Sequence, residues 1–256
     1  MKILWTLSLC LVVTPVLLGG VWSYAQGWPA SWHTADWSSS GIGLRPAETP
    51  EAVVQVYAAR AGRWKGIFAV HTWIVVKRAR ASRFDRYDVV GWGRPVRRNA
   101  YPIDGHWYGN APSVILEVRG PRAAKLIPQI EAAILSYPNR RSGSYHVWPG
   151  PNSNTFLAWI GRRVPELGLE LPPTAVGKDY LGDGWQTGPT PSGTGRQVSW
   201  SGLIGAAVGT REGLELHVLG ATIGLDPQDL AIKLPAVGSL GLKQVRDSLQ
   251  AVAQTR

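Results

Sequence analysis

Residues 67–76 read Ile-Phe-Ala-Val-His-Thr-Trp-Ile-Val-Val, and this stretch decides the fold. Its β-branched and aromatic side chains are typical of a strand that is buried in a sheet, so we predict a strand with His71 in its middle. Alternating apolar positions predict another strand over residues 51–60, and two more are predicted over residues 87–93 and 113–118. The sequence therefore predicts a sheet at the centre of the domain.

Two helices are predicted to pack against this sheet. The first covers residues 121–137, where apolar side chains recur at helical spacing until Tyr137-Pro138: Ala124, Ile127, Ile130, Ala133 and Ile134. Pro128 lies inside this pattern and favours a shorter helix that begins there. The second helix covers residues 154–164, with Phe156, Ile160 and Val164 on one face. Residues 149–154 read Pro-Gly-Pro-Asn-Ser-Asn, which is rich in residues that cap helix N-termini.

The chain changes character at Pro172, after which Gly, Pro and Ser are frequent. A β-hairpin is predicted over residues 203–223 with Glu212-Gly213 at its turn, because apolar and polar side chains alternate after that turn. The predicted fold class is α+β. We divide the chain into a signal peptide or membrane anchor (1–25), a linker (26–50), a core (51–171), a Gly/Pro-rich β lobe (172–242) and a C-terminal tail (243–256).

The composition indicates a folded and basic protein. Of the 256 residues, 45% are hydrophobic and 17% charged, which supplies ample material for a core and excludes wholesale disorder. The formal net charge is +10, and the basic side chains concentrate in one stretch that only Asp85 and Asp88 oppose: Arg60, Arg63, Lys65, Lys77, Arg78, Arg80, Arg83, Arg86, Arg94, Arg97 and Arg98. Such a patch suits anionic lipid or an acidic envelope polymer, although a solvated basic face without a partner explains the same pattern.

Residues 3–18 form an apolar run after Met1-Lys2, the pattern of an export signal or a membrane anchor. Ser23-Tyr24-Ala25 offers a small-x-small cleavage site, while an uncleaved segment would bind the membrane; a buried N-terminal helix is a third interpretation. Export by either route predicts a cell-envelope protein (periplasmic, anchored in the inner membrane or secreted) and argues against nucleic acid as a partner. The single cysteine, Cys10, lies in this segment, so the folded part has no thiol nucleophile.

A nucleophile and a histidine are predicted to meet at a helix N-terminus. Ser153 comes just before the second helix, where the helix dipole stabilises an anion and free backbone N–H groups hold an oxyanion. His71 would face it from a strand, and a third polar group would be needed to orient the imidazole ring. His146 is a rival base close to Ser153 in sequence.

Other polar pairs are weaker candidates for a site. His217 alternates with Glu215 on the hairpin, and a coincidental surface pair is the simpler explanation. A hydrolase pair of Ser192 and Lys178 rests on composition alone. The histidines lack metal-ligand spacing, and neither a metal nor another cofactor is predicted.

Two motifs resemble the permuted papain-fold peptidase family, which includes the deSUMOylating isopeptidases. Residues 71–77 read His-Thr-Trp-Ile-Val-Val-Lys, and residues 152–156 read Asn-Ser-Asn-Thr-Phe where that family has Asn-Cys-Asn-Thr-Phe. Gly91-Trp92-Gly93 falls where the family has a Gly-rich turn. The chain also resembles a bacterial family known only as domain of unknown function 3750, through Pro149–Phe156, Gly177-Lys178-Asp179-Tyr180 and Pro191–Gly195.

The first resemblance implies a permuted papain-like core with His71 and Ser153 as the catalytic pair, but with serine in the place of cysteine. Three interpretations of Ser153 stay open: a serine nucleophile for amide or ester bonds of an envelope component, a relic in a site that only binds, and a helix cap. Candidate binding residues are Asn152, Asn154, Gly91, Trp92, Lys178 and Asp179. The alternative function is a non-enzymatic, membrane-proximal module that binds anionic envelope components through its basic patch.

Overall fold

The structure is a computed structural model that describes residues 12–29 and 31–242. It confirms the α+β class, with three α-helices and two antiparallel sheets in this part of the chain. The helices are α1 (Thr14–Gln26), α2 (Gly120–Leu135) and α3 (Ser153–Arg163), and short 3₁₀ turns lie at Pro46–Glu48, Arg63–Ile67 and Pro165–Leu167. The strands are β1 (Val53–Arg60), β2 (Val70–Lys77), β3 (Asp85–Val89), β4 (Val96–Arg98), β5 (Ser113–Arg119), β6 (Trp185–Pro189), β7 (Gly195–Trp200), β8 (Ile204–Gly209), β9 (Gly213–Val218), β10 (Ala221–Asp226), β11 (Ala231–Leu234) and β12 (Gly238–Leu240).

The first sheet has the strand order β4-β3-β2-β1-β5, so the strand that carries His71 is central. Its two faces bury different partners. Side chains such as Val54, Ile74 and Val76 pack against α2 and α3, whereas Tyr57 and Trp73 on the other face belong to a second, aromatic-rich cluster. Trp37, from the predicted linker, packs against that cluster. Both faces of the sheet are therefore covered, which explains the continuous apolar runs in its strands.

Helix α2 differs from the prediction in two details. It runs without a break through Pro128 instead of beginning there, and the buried residue of its first turns is Ala123, while the predicted Ala124 is exposed. A proline inside a helix costs about 3 kcal/mol. Pro128 lies on the exposed side of α2, and the buried Ile127 and Ile130 beside it supply the packing that offsets this cost.

The second sheet contains seven strands in the order β12-β11-β10-β9-β8-β7-β6, each antiparallel to its neighbour. The predicted hairpin is present as β8 and β9. Along β9 the polar side chains, Glu215 and His217, are buried, whereas Leu214, Leu216 and Val218 are exposed. The interpretation of Glu215 and His217 as a surface pair is therefore wrong: both are buried, with 3.6 Å between His217 Nε2 and Glu215 Oε2.

The buried face of the second sheet is held to the preceding segment by an ion-pair network. Glu215 contacts Lys178 at 2.8 Å and Lys233 at 2.9 Å, and Lys233 also reaches Glu170 at 2.8 Å. Burial alone would raise the pKa of Glu215, but the two lysines outweigh that effect and lower this pKa to about 2. The network replaces the apolar packing that usually joins a sheet to the rest of a domain.

Helix α1 contains the second half of the predicted signal or anchor, and the first eleven residues, including Cys10, lie outside the described range. Its Gly19 approaches Ala236 in the β11–β12 turn and Ile67 in the core, while Leu17, Leu18 and Val21 are more than 60% exposed. Among the described residues, no helix has the length and apolar character needed to cross a membrane. The predicted C-terminal tail (243–256) also lies outside the described range.

Candidate active site

A pocket of about 320 Å³ brings together the two residues that the sequence pairs, His71 and Ser153. It lies where the start of β2 meets the N-terminus of α3. Aromatic side chains from several loops complete its wall: Trp92, Trp107, Tyr108 and Tyr145. No hydrogen bond joins His71 to Ser153 in the described structure, so the pair shares a cavity without direct contact.

His71 is 4% exposed and lies between a carboxylate and an indole. Its Nε2 is 3.6 Å from Asp88 Oδ2, an ion-pair distance longer than a hydrogen bond, and it has no hydrogen-bond partner in the described residues. Trp107 stacks on the imidazole, with 3.5 Å between ring centroids and 4° between planes. Because Nε2 faces Asp88, Nδ1 is the ring nitrogen left for a group in the pocket.

Burial favours a neutral His71 ring next to an ionised carboxylate. Burial lowers the pKa of His71, and the opposing effect of Asp88 is too small to restore it. Burial would raise the pKa of Asp88, but Arg86 and His71 outweigh it and hold this pKa below its usual range. Arg86 Nη2 donates to Asp88 Oδ2 at 2.8 Å, and both side chains are at most 1% exposed. The ring can therefore accept a proton at neutral pH, and Asp88 can stabilise the resulting imidazolium.

Ser153 occupies the first position of α3, and Asn152 caps the helix. The Asn152 side chain accepts from the N–H groups of Asn154 and Thr155, at 2.9 and 3.1 Å, and Thr155 Oγ1 accepts from the N–H of Asn152 at 3.1 Å. Within the described chain, the Ser153 hydroxyl and backbone N–H make no hydrogen bond. The cap therefore leaves two groups of Ser153 free: the hydroxyl that a nucleophile requires and the N–H that an oxyanion site requires.

Asn152 and Asn154 line the pocket, but their amide groups hold the fold together. Asn152 Nδ2 donates to the carbonyls of Val147 and Val176, and Asn154 Nδ2 donates to the carbonyls of Val70 and Val176. Thr72 on β2 donates to Asn154 Oδ1 at 2.9 Å. These bonds fix the start of α3 against β2, so they position Ser153 beside the strand of His71.

The predicted Gly-rich turn forms one side of the pocket. Gly91 packs so closely on Tyr145 that an added Cβ would lie 2.8 Å from the ring, and Trp92 is 43% exposed at the rim. Burial raises the pKa of Tyr145 to about 12, so its phenol stays protonated and can donate a hydrogen bond into the pocket. Gly91 and Trp92 thus line the same pocket as His71 and Ser153.

The other candidates lie elsewhere. Lys178 is buried in the ion-pair network of Glu215, and Asp179 Oδ2 accepts from Ser199 at 3.3 Å, so neither lines this pocket. Ser192 donates to Glu212 at 2.8 Å, whereas Lys178 Nζ donates to the carbonyl of Leu171 and to Glu215. His146, the rival base, is exposed and does not line the pocket. In the described part of the chain, no cluster of three or more His, Cys, Asp or Glu side chains is suited to a metal ion.

Two residues of the site were missed by the sequence analysis. The sequence pattern identified Asp88 only as a charge that opposes the basic stretch. Asp88 and Arg86 are two residues apart on a strand next to β2, however, and this spacing places both side chains on one face. Trp107 lies in a loop with no periodic pattern, so its stacking on His71 had no signal in the sequence.

A second and larger pocket, of about 590 Å³, lies in the basic stretch. Five arginines and a single acidic residue, Glu131, contribute to its wall: Arg78, Arg94, Arg97, Arg98 and Arg140. Arg78 pairs with Glu131 and Arg98 with Asp85, but Arg94 forms neither an ion pair nor a hydrogen bond with any described residue. The pocket therefore presents an excess of positive charge.

Comparison with known proteins supports one assignment. A family model described as "Protein of unknown function (DUF3750)" matches residues 51–180, slightly more than half of the chain. This range contains the first sheet, helices α2 and α3, and the pocket of His71 and Ser153. No curated protein and no solved structure matches the chain. The chain therefore belongs to the DUF3750 family of proteins of unknown function.

Proposed function

We propose that the pocket of His71 and Ser153 is a serine-type acyl-hydrolase site, acting on amide or ester bonds of a cell-envelope component. The observation that carries the proposal is the juxtaposition of three groups: a free serine hydroxyl at a helix start, a buried neutral imidazole in the same cavity, and a carboxylate facing the other ring nitrogen. Nucleophile, base and orienting acid are the three parts that such chemistry requires.

Each residue has one role in the proposed reaction. Ser153 Oγ attacks the substrate carbonyl carbon while its proton passes to Nδ1 of His71, and Asp88 stabilises the imidazolium through Nε2. The N–H of Ser153 donates to the oxyanion. The proton on His71 then passes to the leaving amine or alcohol, and water hydrolyses the acyl-serine by the same steps in reverse. The aromatic wall favours an apolar or ring-containing acyl group.

Active-site labelling tests this function. We expect a fluorophosphonate probe to modify the wild-type chain at Ser153, identified by peptide mass spectrometry, and to leave Ser153→Ala unmodified. His71→Gln should reduce labelling at least 100-fold, because general-base catalysis contributes about 10²–10⁴-fold. Ser142→Ala, at an exposed loop serine, is the matched control and should label fully. Equal labelling of wild type and His71→Gln would indicate a binding site without catalysis.

The arginine-rich pocket favours a second candidate function, the binding of an anionic envelope component such as anionic lipid. Its support is the excess of arginine over Glu131 and the unpartnered Arg94. The double variant Arg94→Glu/Arg140→Glu should lose salt-sensitive binding to anionic vesicles, because screening acts over only about 8 Å at physiological ionic strength. Arg45→Glu/Arg211→Glu changes the charge equally outside the pocket and should bind like wild type. Equal loss in both double variants would reduce the pocket to a solvated basic surface.

A further inference from the structure

The outer face of the second sheet is largely apolar. Strand pairing aligns its outward-facing side chains in three rows, because residues that are directly opposite share a face. One row contains Val208, Leu214, Leu225, Ile232 and Leu240; the next contains Val198, Ala206, Leu216 and Ile223; the third contains Trp185, Trp200, Ile204, Val218 and Ala221. The opposite, polar face is turned inward, so this sheet presents its apolar face to the outside.

The size of this face is that of the largest apolar patch on a typical monomer. Strands lie about 4.8 Å apart and same-face residues about 6.8 Å apart, so three rows of four or five apolar side chains cover on the order of 300 Å² in projection. Apolar patches of this size are often functional. Leu214, Leu216 and Val218 in its centre are each more than 50% exposed, and no described residue covers them.

The chemistry of the face favours lipid over protein. A protein interface carries about one hydrogen bond per 100–200 Å², whereas Leu214, Leu216 and Val218 at the centre of this face offer no side-chain donor or acceptor. In the three rows, the side chains able to form hydrogen bonds lie towards the β6–β7 edge, at Thr187, Arg196 and the indoles of Trp185 and Trp200. Tryptophan beside aliphatic side chains is typical of the boundary between headgroups and acyl chains.

The N-terminal helix supplies an independent argument. Residues 3–35 contain no Lys, Arg, Asp or Glu, and α1 exposes Leu17, Leu18 and Val21. Helix α1 contacts Ala236 in the turn between β11 and β12, where an added Gly19 Cβ would lie 3.1 Å from Ala236 Cβ. An apolar helix therefore adjoins the apolar sheet.

We infer that the outer face of the second sheet rests on a lipid bilayer, with Leu214, Leu216 and Ile232 in contact with acyl chains. The binding is monotopic, because the apolar rows lie on one face while the ion-pair network of Glu215 occupies the other. The bilayer thus replaces the second layer that would otherwise cover an apolar sheet face. This inference is independent of the hydrolase proposal and of the arginine-rich pocket.

Depth-dependent fluorescence quenching tests the contact. In a full-length Cys10→Ser chain, Ile232→Cys and the matched control Ile42→Cys each receive an NBD label; both isoleucines are 46% exposed, but Ile42 lies outside the sheet. Leu216→Cys is a second position on the face. With neutral phosphatidylcholine vesicles, we expect NBD at positions 216 and 232 to shift its emission to the blue and to be quenched by spin labels on the acyl chains. NBD at position 42 should change in neither respect.

The other outcomes overturn the inference. A blue shift without quenching by lipid would show that a second copy or residues 243–256 cover the face. Unchanged emission at positions 216 and 232 would show that the face stays in water, and equal quenching at position 42 would indicate non-specific adsorption. Neutral lipid does not attract the arginines by charge. The test therefore examines the lipid contact of the second sheet separately from anion binding by the arginine-rich pocket.

Discussion

Ser153 differs from the polar residues beside it in its hydrogen bonds. The side-chain amides of Asn152 and Asn154 donate to backbone carbonyls, and Asn152 also accepts from helix N–H groups. The Ser153 hydroxyl makes no such hydrogen bond in the described chain. A helix cap would use the side chain of the N-cap residue, and that residue is Asn152. The interpretation of Ser153 as a cap is therefore wrong, and the nucleophile and binding-site interpretations stay open.

Replacing the oxygen of Ser153 with sulfur tests whether His71 activates this position. In a Cys10→Ser background, we expect the Ser153→Cys thiol to have a pKa below the usual value of about 8.5, because the helix N-terminus and the imidazole both favour the thiolate. The measurement is the rate of iodoacetamide alkylation against pH.

Ser142→Cys, an exposed thiol, is the control and should follow free cysteine. Adding His71→Gln to Ser153→Cys should move the alkylation profile towards that of the control. A Ser153→Cys profile that already equals the control would show that His71 does not act on this position.

The pH dependence of the site follows from the lowered pKa of His71. A general base must be neutral, and burial keeps this ring neutral at pH values below the usual value of about 6.5. Fluorophosphonate labelling of Ser153 should therefore persist as the pH falls through 6.5 and decline only below it. A half-maximal pH at or above 6.5, measured as labelling rate against pH, would contradict the assignment of His71 as a buried base.

Helix α3 owes its position to a close approach at Gly161. A Cβ at this residue would lie 2.2 Å from the carbonyl oxygen of Pro191, in the turn that joins β6 to β7. Arg162, the next residue, donates to the carbonyls of Pro189 and Lys178. The end of α3 therefore meets the second sheet backbone to backbone, and the helix start is held at β2 by Thr72 and Asn154.

Gly161→Ala should destabilise the protein even though alanine is the better helix former. The gain in helix propensity is about 1 kcal/mol, whereas forcing extra volume against fixed backbone costs about 1–3 kcal/mol. Gly20→Ala in α1 is the matched control, because nothing lies within 4 Å of its added Cβ. We expect urea denaturation to give a lower midpoint for Gly161→Ala and no loss for Gly20→Ala; equal midpoints for the two variants would contradict this close contact.

On the scale of the whole molecule, ion pairs join the polar face of the second sheet to the segment that precedes it. Glu215 lies between Lys178 and Lys233, with 1% of its side chain exposed. Its lowered pKa contributes stability that is complete above the unfolded value of 4.5 and is lost as the pH falls towards about 2. The second sheet turns its polar side chains inward and its apolar side chains outward. The arrangement that makes stability sensitive to acid is therefore the same one that exposes the apolar face.

Glu215→Gln should remove this acid sensitivity together with much of the stability. Breaking a buried pair costs about 3–5 kcal/mol, because the lysines remain buried without their partner. Glu131→Gln removes an exposed pair with Arg78, which is worth at most about 1 kcal/mol, and is the matched control. Thermal unfolding from pH 7 to pH 2 should show a large loss at neutral pH and a flatter pH profile for Glu215→Gln only. Wild-type behaviour of that variant would contradict the role of the network.

The sequence by itself determined the local features. The β-branched run predicted β2, helical spacing predicted α2 and α3, and the Asn-Ser-Asn motif placed Ser153 at a helix start, because these features depend on neighbours in the chain. The α+β class and the family followed from the same motifs. The chain order of His71 and Ser153 also suggested their shared pocket.

Only the tertiary structure decided which groups meet across the chain. Asp88 reaches His71 through strand pairing, and Trp107 reaches it from a loop without pattern. Likewise, alternation along β9 predicted a strand with one polar and one apolar face. It did not predict which face is buried, because the period of 2 is the same in either case. Glu215 turned inward since lysines from distant segments neutralise its charge there, and that long-range balance leaves the leucines of β9 outside.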